Sequence, residues 1–288
     1  MLEVAASAGE VPVEKKNSIA VRILHSLTNK DSRRGLLLGL IGTVGFLFFW
    51  WLATEKLKLP RFEKLPGPVL CWNEFISRDP VFGTSIFTPQ YYMHIMWSCL
   101  RILAGFTIAT CLGVPLGLFM GWKKKVRDYA FPVLELLRPI PTMAWVPLAI
   151  LMFSGREAPI IFLACLASFF ATVLNTLLGV DSIDEVYFRA AMCLGASERN
   201  VFTRVVIPGA LPFIFTGLQI SMGVAWFSLV AAEMLSGEYG LGYLIWDSYV
   251  LSQYPVIVIG MATLGLIGYF CSAIIRMVGN QLMRWTVR

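Results

Sequence analysis

The chain has 288 residues, of which 57% are hydrophobic and only 15% are charged. A soluble domain usually carries about 25% charged residues, so this composition excludes an ordinary soluble protein and favours a membrane protein. The formal net charge of +6 does not indicate nucleic-acid binding, because Lys and Arg lie mainly between the long apolar stretches.

Long apolar stretches recur along the chain at membrane-spanning length. Five of them contain no Asp, Glu, Lys or Arg: 35–54, 102–122, 158–180, 205–232 and 248–275. Each reaches the ~20 residues that an α-helix needs to cross a bilayer. In lipid the backbone polar groups must be satisfied within the segment, which favours helices. A sixth stretch, 129–155, is long enough to cross despite two charges. We predict an all-α polytopic membrane protein with six transmembrane helices.

The basic residues set the predicted orientation. They concentrate in four regions: 15–34, 123–127, 189–204 and 276–288. With six spans all four regions lie on one side, which the positive-inside rule assigns to the cytoplasm together with both termini. The first apolar run is long enough to be a true span, so no cleavable signal peptide is expected. The predicted organisation is a cytoplasmic tail (1–34), a first transmembrane helix (35–54), a periplasmic segment (55–91) and a five-helix core (92–288).

The second predicted span carries Gly113, Gly117 and Gly121, spaced by four residues. This spacing places the glycines on one helix face, where the backbone of a neighbouring helix can approach closely. The neighbour can belong to the same chain or to a second subunit.

The third predicted span contains Pro139, Pro141 and Pro147. Each proline removes a backbone donor and disturbs the preceding turn. A broken span is costly in lipid unless it is buried in protein or lines a wet cavity. We expect a bent helix that borders a transport path; the alternative is a kink near the cytoplasmic end without further role.

Several polar side chains lie in or near the spans. A charge inside the bilayer is costly, so it is expected to face a partner or a cavity. Arg138 can pair with Glu135 three residues earlier, and neutral side chains of the fourth and fifth spans can line a path or bond between helices. The residues predicted to border the translocation path are Arg101, Arg138, Pro141, Asn175, Gln219 and Glu233.

No catalytic pattern accompanies these features. The chain has two histidines and lacks the HExxH, GxSxG and GxxxxGK[ST] patterns, so we expect neither an enzyme nor ATP hydrolysis by this chain itself. Its six cysteines have no metal-binding spacing, and no metal site is expected.

The segment 181–208 interrupts the apolar pattern. Asp181, Ser182 and Asp184 are all good N-cap residues for a first short helix that runs to about Cys193. Ser197 can cap a second short helix, and Gly195 provides a joint between the two. Pro208 is typical of the first turn of the next span. Small side chains around Ala190 would let another protein surface approach closely; the alternative is an ordinary packed cytoplasmic loop.

This segment resembles the signature of binding-protein-dependent ABC importer permeases: EAA, three residues, Gly, nine residues and I-x-L-P. Here Ala190-Ala191 is followed by Gly195 and then by Val205–Pro208, with Arg189 in place of the signature's Glu. Together with "LRPIPTMAWVPL" and "GLGYLIWDSY", the pattern is similar to the nitrate/sulfonate/taurine/bicarbonate branch.

The resemblance implies a type I ABC importer permease fold in a bacterial inner (plasma) membrane. It implies two cytoplasmic ATPase subunits that bind ATP and Mg, a second permease copy forming a homodimer, a periplasmic substrate-binding protein, and no cofactor in this chain. The implied substrate is a small anion such as nitrate, bicarbonate, taurine or a sulfonate; a neutral or cationic molecule such as a thiamine precursor is the alternative. An ion-coupled secondary transporter is the alternative class. The residues implied in ATPase coupling are Arg189, Ala190, Ala191, Gly195, Ala196 and Pro208.

Overall fold

The computed structural model describes residues 30–57, 60 and 64–283, and most of the predicted tail lies outside these residues. The chain divides into two compact units, Met1–Val69 and Leu70–Arg288. All regular secondary structure in the described ranges is helical.

The first unit contains helix α1 (Lys30–Trp51), which continues as a π-helical turn over Leu52–Lys56. Apolar side chains cover its outside; Phe46, for example, is 67% exposed. A helix with an apolar surface on all sides suits a lipid environment. The Trp50 indole donates a 3.2 Å hydrogen bond to the carbonyl of Pro66.

A short helix, α2 (Pro68–Ile76), crosses the division between the units. The second unit then contains α3 (Pro89–Trp122), α4 (Lys124–Leu137), α5 (Val146–Met152), α6 (Glu157–Asp181), α7 (Glu185–Cys193), α8 (Glu198–Val201), α9 (Ile207–Ser236), α10 (Leu241–Val250) and α11 (Tyr254–Leu282). A 3₁₀ turn (Thr142–Trp145) precedes α5, and a π-helical turn (Phe202–Val206) precedes α9.

The predicted six-span, all-α fold is confirmed, with a difference in the third span. Five described helices are long and apolar enough to cross a membrane: Leu37–Lys56, Pro89–Trp122, Glu157–Asp181, Glu198–Leu235 and Tyr254–Leu282. The remaining span, which is third in chain order, is a pair of helical segments, Lys124–Leu137 and Thr142–Met152, with an angle of 89° between them. Pro139 and Pro141 lie between the two halves, where they cannot donate the hydrogen bonds that would continue α4. The third span is therefore broken rather than gently kinked.

The glycines of α3 pack against α6 of the same chain. A Cβ placed at Gly113 would lie 3.1 Å from the Cβ of Thr172, and one at Gly117 would lie 2.6 Å from that of Thr176. A Cβ placed at Gly121 would lie 2.5 Å from the Cβ of Val180. The expectation that Gly113, Gly117 and Gly121 pack against a helix of the same chain is therefore confirmed.

Candidate functional site

The segment 181–208, here called the coupling segment, forms two short helices at a sharp joint. The carboxylate of Asp184 accepts a 2.9 Å hydrogen bond from the Val186 amide and caps α7. Gly195 follows α7 with a φ of +74°, in the left-handed region that favours glycine. The Gly195 amide donates to the Met192 carbonyl and the Ala196 amide donates to the Ala191 carbonyl, which satisfies the last carbonyls of α7.

The surface of α7 is exposed and largely apolar. No residue of α7 is buried. Its apolar side chains extend outward, with Tyr187 64%, Met192 62% and the following Leu194 88% exposed. Arg189, which replaces the signature's Glu, pairs with Glu185 one turn earlier at 2.5 Å. Exposed apolar surfaces of this kind are typical of protein–protein or membrane contact sites.

Aromatic stacking fixes the coupling segment to the end of α3. The ring of Trp122 stacks on Phe188 of α7, with 6.1 Å between the centroids, and lies 5.9 Å from Phe202. Phe202 also stacks on Phe119 at 5.6 Å. The coupling segment is therefore attached to α3 through side chains as well as to α6 and α9 through the backbone.

Two ion pairs reinforce this attachment. The ammonium of Lys123 lies 2.6 Å from the carboxylate of Glu198, and the guanidinium of Arg127 lies 3.0 Å from that of Asp181. Both cations lie at the junction of α3 and α4. The coupling segment therefore also contacts the start of α4 and its junction with α3 through side chains.

Five of the six predicted coupling residues lie in α7 or directly after it, and the sixth, Pro208, lies in α9. Arg189, Ala190 and Gly195 are exposed, whereas Ala191 and Ala196 are half-buried. Pro208 is half-buried in the first turn of α9, as its sequence context predicts. Contact of these residues with an ATPase stays a prediction.

At the opposite end of the core, Arg101 joins three helices. Its side chain is 2% exposed. Its Nε and Nη2 atoms donate to both carboxylate oxygens of Glu157 at 2.6 and 2.7 Å. Its Nη1 atom donates to Glu233 at 2.9 Å and to the carbonyl of Tyr239 at 2.5 Å. The guanidinium thereby links α3, α6 and α9 with the loop that precedes α10.

The carboxylate of Glu233 is fully buried and has further donors. The hydroxyl of Ser98 lies 2.8 and 2.9 Å from its two oxygens, and the amide of Gly242 donates to it at 2.9 Å. Gly240 has a φ of +125°, and a Cβ at this position would collide with the carboxylate. Glycine at 240 therefore allows the loop to approach the buried charge closely.

The structure brings only two of the six predicted path residues together. Arg101 and Glu233 form the buried ion pair described above, so neither faces an open path in this conformation. The amides of Asn175 and Gln219 bond to carbonyls four residues earlier in their own helices.

The remaining two predicted path residues lie near the break in the third span. Arg138 is exposed and lies 3.7 Å from Glu135, the expected pairing. Pro141 is exposed just before the 3₁₀ turn. A role in the path stays a prediction for these residues.

Glu157 and Ser98, the partners of the buried charges, do not stand out in the sequence. Glu157 follows an apolar stretch in a segment that resembles an ordinary loop, and Ser98 is a single hydroxyl in an apolar helix. Within the residues that the structure describes, no group of three or more His, Cys, Asp or Glu side chains could hold a metal ion.

The spans and the exposed apolar projection at one end fit the membrane subunit of a transporter, and the comparisons with known proteins show the family. Residues 113–288 match the family described as binding-protein-dependent transport system inner membrane component. The chain belongs to this family of ABC importer permeases and is a multi-pass inner-membrane protein.

Relatives and a solved structure agree with this assignment. The taurine transport system permease protein TauC of Escherichia coli (strain K12) is 35% identical over 253 residues, 85% of this chain and 88% of TauC. The bicarbonate transport system permease protein CmpB of Synechococcus elongatus is 30% identical over 259 residues, 88% and 90% of the two chains. An inward-facing structure of the MetNI methionine ABC transporter superposes with a TM-score of 0.58 at 17% identity, covering 69% of this chain and 99% of that chain, and it shows the shared fold.

Proposed function

We propose that this permease carries a small anion across the membrane in an ATP-driven importer. The proposal is supported by the relatives TauC and CmpB, whose names specify taurine and bicarbonate. Taurine carries a sulfonate and bicarbonate a carboxylate-like group, so both ligands present a compact oxyanion. A neutral or cationic ligand is the alternative that the experiment below must exclude.

The partners are inferred from the family and from the coupling segment. Two cytoplasmic ATPase subunits would bind ATP and Mg and would each receive one coupling segment in a surface cleft. A second copy of this chain would complete the path, and a periplasmic substrate-binding protein would deliver the ligand. The observation that carries the ATPase contact is the exposed apolar surface around α7, which ends at the 88% exposed Leu194.

The mechanism follows from how the coupling segment is attached. Closure of an ATPase dimer on ATP would draw the two coupling segments together. Because Trp122 and Lys123 join the coupling segment to the end of α3, this displacement would move α3 with α6 and α9. The close packing of α3 on α6 at Gly117 favours movement as a rigid body. The permease would thus convert ATPase closure into a change of access at the opposite end, a coupling between two distant sites.

The test is ATPase activity of the reconstituted complex with its binding protein. Taurine, bicarbonate, nitrate, an alkanesulfonate and a thiamine precursor would be compared, and stimulation by one of the anions is expected. Stimulation by the thiamine precursor alone would contradict the anion assignment.

A matched pair of variants tests the coupling segment in the same assay. Leu194→Asp places a charge in the proposed apolar contact and should abolish ligand-stimulated activity. Val81→Asp is the control, since Val81 is 83% exposed in the segment before the second span. Equal activity of the two variants would contradict docking through α7.

A further inference from the structure

Two packing clusters fix the depth at which the third span is broken. Before the break, Leu134 of α4 belongs to one apolar cluster with Val173 of α6. After the break, Val146 of α5 belongs to a second cluster with Ala164 of α6. Measured from the end of α6 opposite the coupling segment, Ala164 lies about 10 Å and Val173 about 24 Å along a helix about 37 Å long. The break therefore lies near the middle of the membrane rather than at its cytoplasmic surface.

The backbone at this break is irregular, and its own chain leaves it uncovered. Residues 138–141 lie between α4 and the 3₁₀ turn, outside regular helix, and all four are exposed. Pro139 and Pro141 have no backbone N–H to donate. Non-helical backbone at membrane depth is tolerated only where protein buries it or where it lines a water-filled cavity. We therefore expect this stretch to face water between subunits rather than lipid.

Arg138 places a positive charge at the break. Its side chain is 58% exposed. Its ion pair with Glu135 is a single contact of 3.7 Å between Nη1 and Oε1, which is too long for a hydrogen bond. Within the residues that the structure describes, the guanidinium makes no hydrogen bond. A charge at this depth is costly unless it faces a partner or a cavity, and snorkelling to the headgroups serves side chains near helix ends.

Arg101 offers the contrast within the same core. Its side chain is 2% exposed, and its donors are engaged by Glu157, Glu233 and the carbonyl of Tyr239. A guanidinium binds an oxyanion through two parallel N–H···O bonds, which requires free donors on one edge of its plane. Arg101 has used this capacity inside the chain, whereas Arg138 has not.

We propose that Arg138 contacts the transported anion midway across the membrane and makes the path selective for anions. Its guanidinium faces a wet cavity between two copies of the chain, where its N–H groups replace part of the water that the oxyanion gives up. The long contact with Glu135 leaves these donors available. This inference rests on the proposed importer function and assigns the passage of the anion, not its delivery, to Arg138.

The first experiment measures water access at position 138 in the assembled complex in lipid nanodiscs. Arg138→Cys should react rapidly with the anionic, water-soluble thiol reagent MTSES, because the reaction requires a hydrated thiolate. Val81→Cys is the water-exposed reference, and Phe46→Cys on the apolar surface of α1 is the reference for slow reaction. Peptide mass spectrometry separates each position from the native cysteines. Labelling of Arg138→Cys as slow as that of Phe46→Cys would overturn the proposal.

The second experiment measures anion uptake per ATP hydrolysed in proteoliposomes that contain the complex and its binding protein. Isotopically labelled taurine, bicarbonate, nitrate and an alkanesulfonate are the probes. Because Arg138→Gln removes charge-assisted hydrogen bonds, it should lower uptake of the transported anion per ATP about tenfold or more. Arg138→Lys keeps the charge without the planar fork and should give an intermediate value.

Two control variants separate the guanidinium from its surroundings. Glu135→Gln breaks the same ion pair but keeps the guanidinium, so its uptake per ATP should match the wild type. Arg276→Gln removes an exposed charge six residues before the end of α11 and should also match the wild type. An equal loss in Glu135→Gln and Arg138→Gln would assign the effect to the ion pair and overturn the proposal.

The outcomes distinguish the role of Arg138 from the function on which it rests. A wild-type complex that takes up none of the four anions would contradict anion import and this inference together. Anion uptake by the wild type with an unchanged ratio in Arg138→Gln would overturn only the role of Arg138. If Arg138→Gln does not assemble, a wild-type ratio in Arg138→Lys would overturn the contact between guanidinium and anion.

Discussion

Replacing Gly117 by alanine tests the packing of α3 on α6. The added Cβ would lie 2.6 Å from the Cβ of Thr176 and 2.7 Å from the carbonyl oxygen of Val173. Neither atom can move away by a side-chain rotation, so the helices must separate locally. Overpacking of this kind costs about 1–3 kcal/mol. The better helix propensity of alanine offsets up to about 1 kcal/mol. We expect a net destabilisation of about 1–2 kcal/mol after this offset.

The measurement is thermal unfolding of the purified permease in detergent. Gly265→Ala is the matched control, because a Cβ at Gly265 in α11 would meet no atom within 4 Å. The Gly117 variant should unfold several degrees below the wild type, and the Gly265 variant should not unfold below it. Equal unfolding temperatures for the two variants would refute the close packing of α3 on α6.

Three further predictions concern the two ends of the core and α2. Glu233→Ala removes the buried counter-ion of Arg101 and should destabilise the permease by about 3–5 kcal/mol. Unfolding in detergent measures this loss, and Glu157→Ala should cause a smaller one because Glu157 is half-exposed. Trp122→Ala removes the stacking on Phe188 and should lower ligand-stimulated ATPase activity more than basal activity; an unchanged ratio would show that this attachment is not used. Burial raises the pKa of the Cys71 thiol from 9.0 to about 11. Because the thiol then stays protonated to high pH, a maleimide at pH 8 should modify the exposed Cys193 well before Cys71, as peptide mass spectrometry would show.

Local features of the fold could be predicted because their causes are local. The capping residues Asp184 and Ser197 and the joint at Gly195 each act within a few positions of the chain, and the structure has all three. The length of the apolar stretches likewise identified the spans. Prolines indicated the interruption of the third span but not the size of its bend, which is 89°.

The buried charge cluster depends on contacts between distant parts of the chain. Arg101 and Glu233 are 132 positions apart, and Glu157 is 56 positions from Arg101. Each residue could be recognised as unusual in an apolar context, yet only the packing of α3, α6 and α9 brings them together. For the same reason, hydropathy along the chain does not predict which side chains border a transport path.

The most direct test of the central claim is the reactivity of the native Cys193 at the end of α7. Its side chain is exposed in the single chain, so a maleimide should label it rapidly in the isolated permease. If the coupling segment docks into the ATPase, labelling should be strongly slowed in the assembled complex, while labelling of a cysteine introduced at Val81 should not change. Equal labelling of Cys193 in the isolated permease and in the complex would contradict the account.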